Sequence, residues 1–176
     1  MQASPFRPLT LRHPSPFRPL TLRHPSPFPY IVFAGPCSAE TEAQTLATAE
    51  ALRARGIRLF RASLWKPRTR PGSFEGVGSE GLPWLQRVER ELGMQVATEV
   101  ASASHVEEAL AAGLDTFWIG ARTTTSPFAM AELAEALSGE RVTVLVKNPL
   151  NPDIELWEGA LLRLYQAGIP QIGAIH

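Results

Sequence analysis

The sequence predicts an α/β fold made of repeated βα units. It is a (β/α)8 TIM barrel, truncated after the sixth strand and preceded by a Pro-rich N-terminal arm expected to be disordered. Three observations predict it. Six short runs rich in Val, Ile, Phe and Trp alternate with helical patterns. Each is apolar throughout rather than alternating, as strands covered on both faces are. Each also delivers a polar or charged residue at or just beyond its carboxyl end: Cys37, Lys66, Glu99, Arg122, Lys147 and His176. A closed barrel gathers such ends on one rim, whereas an open doubly wound sheet uses mainly its switch point.

The elements follow in chain order. "SPFRPLTLRHP" at Ser4–Pro14 recurs identically at Ser15–Pro25 and restarts as "SPF" at Ser26. Closely spaced prolines remove backbone donors and fix φ, so residues 1–29 are expected to form an extended arm outside the fold. An 11-residue Pro-rich unit cannot bury a face. Residues 30–176 are expected to form the partial barrel, strands one to six. Its strands fall in "YIVFAGPC", "IRLFRASLW", "MQVATEV", "DTFWIGAR", "RVTVLVKNP" and "QIGAIH". Helix starts are marked by Thr41 with Gln44 and Ser104 with Glu107 at capping-box spacing, and by Ser126-Pro127 and Asn151-Pro152. Gly56, Gly93, Gly113, Gly139 and Gly168 stand where helices should stop. Six units fall short of the roughly 250 residues of a closed barrel. A truncated chain is therefore expected.

Bulk properties exclude several classes. The 176 residues carry no net charge, and 44% are hydrophobic, enough for one core. The first 30 residues hold Arg7, Arg12, Arg18 and Arg23 and no acid, so the remainder is acidic in balance. Nothing points to nucleic acid or membrane. One cysteine rules out an internal disulfide and fits a reducing compartment. No apolar run nears the ~18 residues of a membrane span. A cytoplasmic location is expected.

The chemistry concentrates in "SLWKPRTRPGSFEGVG" and its neighbours on the rim. Arg61, Lys66, Arg68, Arg122 and Lys147 would make a basin for a ligand with several negative charges. Arg supplies a planar fork for carboxylate or phosphate and Lys a compact charge. Pro67 and Pro71 would lower the ordering cost of that loop, and Gly72, Gly76 and Gly78 would allow close backbone approach. Cys37, after Gly35-Pro36, reads as a metal ligand or as a nucleophile with His176 and Glu99. Glu99 reads as a group that orients a cation, holds a water or pairs with Lys66. His105 reads as a solvated helix residue. The tryptophans are expected between helices and sheet, with Trp65 as the one candidate for the rim.

Taken together, "AGPCSAE", "FRASLWKPRTRPGSFEGVG", "ATEV", "WIGARTT" and "VLVKNPLNPD" resemble the type I 3-deoxy-D-arabino-heptulosonate 7-phosphate (DAHP) synthases. The resemblance is greatest to the form often fused to a chorismate mutase. It implies condensation of phosphoenolpyruvate with erythrose 4-phosphate at the first step of the shikimate pathway. It also implies a divalent metal ion (Mn²⁺, Fe²⁺, Co²⁺ or Zn²⁺), a homo-oligomer at full length, and a mutase domain in the parent protein.

By motif, the resemblance makes Cys37 a metal ligand. It assigns Arg61, Lys66 and Lys147 to the phosphoenolpyruvate carboxylate as the catalytic set. Gly120, Ala121 and Arg122 would hold that substrate's phosphate, with Glu99 near it. Pro67, Arg68 and Thr69 would receive erythrose 4-phosphate. The family's remaining metal ligands have no counterpart in this sequence, so little synthase activity is expected of the chain as given. Two alternatives are kept: a 3-deoxy-D-manno-octulosonate 8-phosphate synthase acting on arabinose 5-phosphate, and a non-catalytic fragment that binds anions or a partner.

Overall fold

The computed structural model describes residues 31–176, so the tandem repeat and the arm expected at residues 1–29 lie outside the described residues. The described chain runs β1 (Phe33–Ala34), α1 (Glu42–Ala54), β2 (Leu59–Arg61), a 3-10 turn (Gly78–Gly81), α2 (Leu82–Leu92), β3 (Gln95–Val100) and α3 (Ala103–Ala111). It continues with β4 (Thr116–Ile119), α4 (Ala121–Thr124), α5 (Pro127–Ala136), β5 (Thr143–Lys147), α6 (Ile154–Gln166) and β6 (Gln171–Ile175). Each expected strand run contains its observed strand. No described helix is long and apolar enough to cross a membrane.

All five strand pairings are parallel, and the spatial order equals the sequence order, β1 to β6. A doubly wound sheet would reverse this order at its switch point. Here there is no reversal, so every crossover places its helix on the same face. That face carries the main core: Phe60, Val96, Val100, Phe117, Ile119, Val144 and Val146 from the strands meet Leu85, Val88, Val106, Leu133 and Leu164 from the helices. Each such side chain contributes about 1.5–3 kcal/mol when fully buried.

Strand side chains alternate with period two, so the residues between these point the other way. Ala97, Trp118 and Leu145 form a second, smaller cluster on the inner face, with Phe33 and Ile175 packed against it. Phe33 and Ile175 sit on β1 and β6, five strand spacings apart, which would be roughly 24 Å in a flat sheet. Their packing around one cluster means that the sheet is curled, as part of a barrel wall is.

Capping explains the helix starts and corrects two expectations. Thr41 accepts from the Gln44 backbone N–H at 3.1 Å, and Ser126 accepts from that of Ala129 at 3.3 Å, as their spacing predicts. Before α3 the cap is Ser102, which accepts from His105 N–H at 3.4 Å, and not Ser104. Before α6 it is Asp153, which accepts from Leu156 N–H at 2.9 Å, and not Asn151. In both cases the capping residue holds extended backbone, leaving its side-chain oxygen free to turn back onto the first turn. The five glycines expected at helix stops all have φ between 60° and 86°.

Candidate active site

The β1 end comes first. Gly35 has φ +157°, and a Cβ there would lie 1.9 Å from the Arg61 carbonyl oxygen. Only a residue without a side chain lets β1 approach β2 this closely, and the approach carries Cys37 over the mouth. The Lys66 ammonium donates to Cys37 Sγ at 3.1 Å and to the Cys37 carbonyl at 2.9 Å. That hydrogen bond holds the exposed thiol below its ordinary value of 9.0. Burial opposes the shift, while the charges of Lys66, Arg61 and Lys147 add to it. Three cations from two strand ends, Arg61 and Lys66 after β2 and Lys147 at the end of β5, therefore act on one sulfur atom.

Arg61 and Lys147 also line one open cavity of about 570 Å³, together with Ile31, Phe33, Trp118, Leu145 and the β6 residues Gly173 to Ile175. The Arg61 guanidinium carbon lies 4.8 Å from the centre of the Trp118 ring, a cation–π contact. Its Nε is buried and has no hydrogen-bond partner. Trp118 is held from below, because its indole N–H donates to Glu99 Oε2 at 3.1 Å. The Ser63 hydroxyl reaches the same oxygen at 3.3 Å. Glu99 is 8% exposed. Its role in the fold is to fix Trp118, and Lys66 pairs with Cys37 rather than with Glu99.

The loop after β2 is a hairpin. Trp65 and Gly76 form an antiparallel bridge, Lys66 N–H donates to the Glu75 carbonyl at 2.8 Å, and Arg68 Nε donates to the Phe74 carbonyl at 2.7 Å. Gly76 sits at φ +102°, where a Cβ would be 2.0 Å from the Leu64 carbonyl oxygen. Gly72, in contrast, has nothing within 4 Å, so its expected close approach is not seen. Across the mouth, Arg122 Nε donates to Thr69 Oγ1 at 3.2 Å. The turn Gly120-Ala121-Arg122 after β4 and the Pro67-Arg68-Thr69 segment are thereby joined. Gly120 has the Glu99 carboxyl against it, 2.2 Å from where a Cβ would stand.

Two contacts at the mouth differ from the sequence expectation. Trp118, expected between helices and sheet, faces inward under Arg61, because Phe117 and Ile119 take the helix side of β4. The parity of "TFWIGAR" held that signal, since Trp118 is in step with Gly120. His105, expected as a solvated helix residue, is half-buried: it stacks on Trp65 with ring centroids 4.4 Å apart and planes within 11°.

As for a metal, no group of three or more His, Cys, Asp or Glu side chains is gathered among the described residues. They supply one donor, Cys37, and do not by themselves make a metal centre. The nucleophile reading of Cys37 with His176 and Glu99 also has no hydrogen-bonded relay here: Glu99 is taken by Trp118 and Ser63.

Comparison with known proteins agrees with this picture. A phospho-2-dehydro-3-deoxyheptonate aldolase of Thermotoga maritima is 37% identical over 93 residues, covering 53% of this chain and 27% of that protein. A 2-dehydro-3-deoxyphosphooctonate aldolase of Acidithiobacillus ferrooxidans is 42% identical over 79 residues, covering 41% of this chain and 28% of that protein. The crystal structure of the Thermotoga maritima DAHP synthase superposes with a TM-score of 0.70 at 27% identity, covering 82% of this chain and 40% of that one. The chain thus spans less than half the length of these relatives. Residues 27–176 match the model of the DAHP synthetase I family, and the chain belongs to that family.

Proposed function

We propose that this mouth binds phosphoenolpyruvate and erythrose 4-phosphate and joins them, with water, into 3-deoxy-D-arabino-heptulosonate 7-phosphate and inorganic phosphate. The observation that carries the reading is that Arg61 and Lys147 line one cavity, with the Arg61 Nε buried and unpaired, while Lys66 joins both in acting on the neighbouring Cys37. An orphaned buried donor costs roughly 1–3 kcal/mol, and a substrate carboxylate docked on the guanidinium fork would remove that cost. Membership of the family supports the same assignment.

In this reading Arg61, Lys66 and Lys147 bind the phosphoenolpyruvate carboxylate, and Gly120, Ala121 and Arg122 bind its phosphate. Pro67, Arg68 and Thr69 receive the aldose phosphate, and the Arg122–Thr69 hydrogen bond sets the distance between the two sites. The cations offset the repulsion between two anions and align the enol C3 with the aldehyde carbon. The C3–C bond forms, water adds at C2, and phosphate leaves with its C2–O bond. Cys37 would be the described residues' one donor to a divalent metal, whose chemistry there would be that of a Lewis acid.

Because the chain spans 40% of its solved relative, binding is the primary readout. Calorimetric titration with phosphoenolpyruvate should give heat that Arg61→Met and Lys147→Met each weaken about 10- to 100-fold, the loss of one charged hydrogen bond. An affinity unchanged by both substitutions ends the reading. A second reading, the octulosonate chemistry, is favoured by relatives named 2-dehydro-3-deoxyphosphooctonate aldolase at 39–44% identity. Calorimetric titration with erythrose 4-phosphate against arabinose 5-phosphate, in the presence of phosphoenolpyruvate, separates the two.

A further inference from the structure

We propose that His105 is a positioning residue for the substrate loop: by stacking on Trp65 it fixes the root from which Lys66, Arg68 and Thr69 extend. The proposal rests on the reading of that loop as part of the substrate site. Its basis is the way two consecutive residues reach in opposite directions. Lys66 reaches back to Cys37 beyond β1, while Trp65 lies on His105 of α3, which follows β3. In the sheet, β1 and β3 flank β2 on either side. The loop root is therefore held between two neighbours, and where Trp65 rests decides where the Lys66 ammonium can arrive.

Other contacts show that α3 is the platform. His105, Glu108 and Ala112 follow at intervals of three and four residues and so share one helix face. Each receives a group from the segment between β2 and the end of α2. His105 takes the Trp65 ring, Glu108 accepts from the Ser79 hydroxyl, and the Ala112 carbonyl accepts from Gln86 Nε2 at 2.7 Å. The imidazole is itself oriented, since its Nδ1 accepts from the Ala101 backbone N–H at 3.3 Å, and the His105 backbone N–H is held by the capping Ser102 Oγ. Trp65 is also the residue whose backbone bridges to Gly76 to close the hairpin. The backbone just before Trp65 is tied to β3, Leu64 N–H donating to Thr98 Oγ1 at 3.3 Å and Ser63 reaching Glu99 Oε2, so the stack acts on the Trp65 side chain. Among the hydrogen bonds of the described residues, those of Lys66–Thr69 run to Cys37, to Arg122 or within the hairpin.

The test uses a feature of the loop's sequence. Lys66 and Arg70 precede prolines, so Arg68–Thr69 is the single bond between Trp65 and Gly76 open to trypsin. In His105→Ala, nicking at this bond, read by mass spectrometry, should accelerate about 2- to 10-fold, the range one aromatic contact commands. Phosphoenolpyruvate affinity, read by calorimetry, should weaken by a similar factor. His105→Phe should restore both. Trp65→Ala combined with His105→Ala should be no worse than Trp65→Ala alone. Unchanged nicking in His105→Ala, independent effects of the two substitutions, or no rescue by His105→Phe each overturns the proposal. Absence of phosphoenolpyruvate binding by the parent chain would count against the substrate assignment instead, and the nicking arm would still decide on positioning.

Discussion

Gly35→Ala should open the β1–β2 seam. The added methyl group would meet the Arg61 carbonyl oxygen at 1.9 Å and the Arg61 nitrogen at 3.0 Å, and both are backbone atoms that no rotamer can move. Relief to even the shortest tolerable contact needs about 1 Å of separation between the strands. That stretches N···O distances near 2.9 Å toward 4 Å, beyond hydrogen bonding. β1 pairs with β2 only through Phe33↔Leu59 and Ala34↔Phe60, so little else holds it. Losing two ladder bonds at about 1 kcal/mol each, adding strain of about 1 kcal/mol or more at φ +157° and loosening Phe33 from the inner cluster gives a cost of about 4 kcal/mol. For a domain of this size that is roughly 10 °C in Tm. Urea unfolding followed by circular dichroism measures it directly. The same separation carries Cys37 away from Lys66, so its alkylation should slow in the folded variant. A variant within about 1 kcal/mol of the parent, alkylated at the parent's rate, refutes the reasoning.

Three further outcomes are expected. The midpoint of Cys37 alkylation against pH should lie below 9.0 and rise in Lys66→Met, since the ammonium that favours the thiolate is gone; equal midpoints contradict the Lys66–Cys37 contact. Trp118→Phe keeps the ring but removes the donor to Glu99, and should cost about 1.5–3 kcal/mol in urea unfolding; a loss under about 0.5 kcal/mol would mean that Glu99 is held by Ser63 alone. Burial keeps His105 below its ordinary 6.5, with Glu108 and Glu99 pulling the other way. The unfolded chain therefore binds a proton near 6.5 that the folded chain refuses. Stability should fall as the pH drops below that value. His105→Phe should flatten the fall, and parallel slopes for parent and variant would show that His105 does not titrate differently on folding.

The strand ends were legible because they obey a one-dimensional rule. Cys37, Lys66, Glu99, Arg122 and Lys147 can be counted off the carboxyl ends of apolar runs, and a barrel's geometry does the rest. Facing direction was harder. Trp118 belongs to the inner face only because the sheet has a packed inner surface at all, and "TFWI" is apolar on both parities. The caps failed for a local reason. "SAS" before His105 offers two serines, and "NPD" before Ile154 offers an Asn and an Asp; backbone conformation, not residue type, selects Ser102 and Asp153. The His105–Trp65 stack joins residues 40 positions apart, and no periodicity within either segment encodes it.

The curl of the sheet has a mechanical consequence. Unrolled, β2 and β5 would hold Arg61 and Lys147 roughly 14 Å apart, three strand spacings, too far to share a ligand the size of a three-carbon acid. Their common pocket exists only while the wall stays bent, and the bend is clamped by the few inner side chains Ala97, Trp118 and Leu145. The helix-side core is far larger and does not depend on it. On warming, the wall should therefore relax before the helices melt, and the protein should lose its grip on anions while its circular dichroism is still that of the native state.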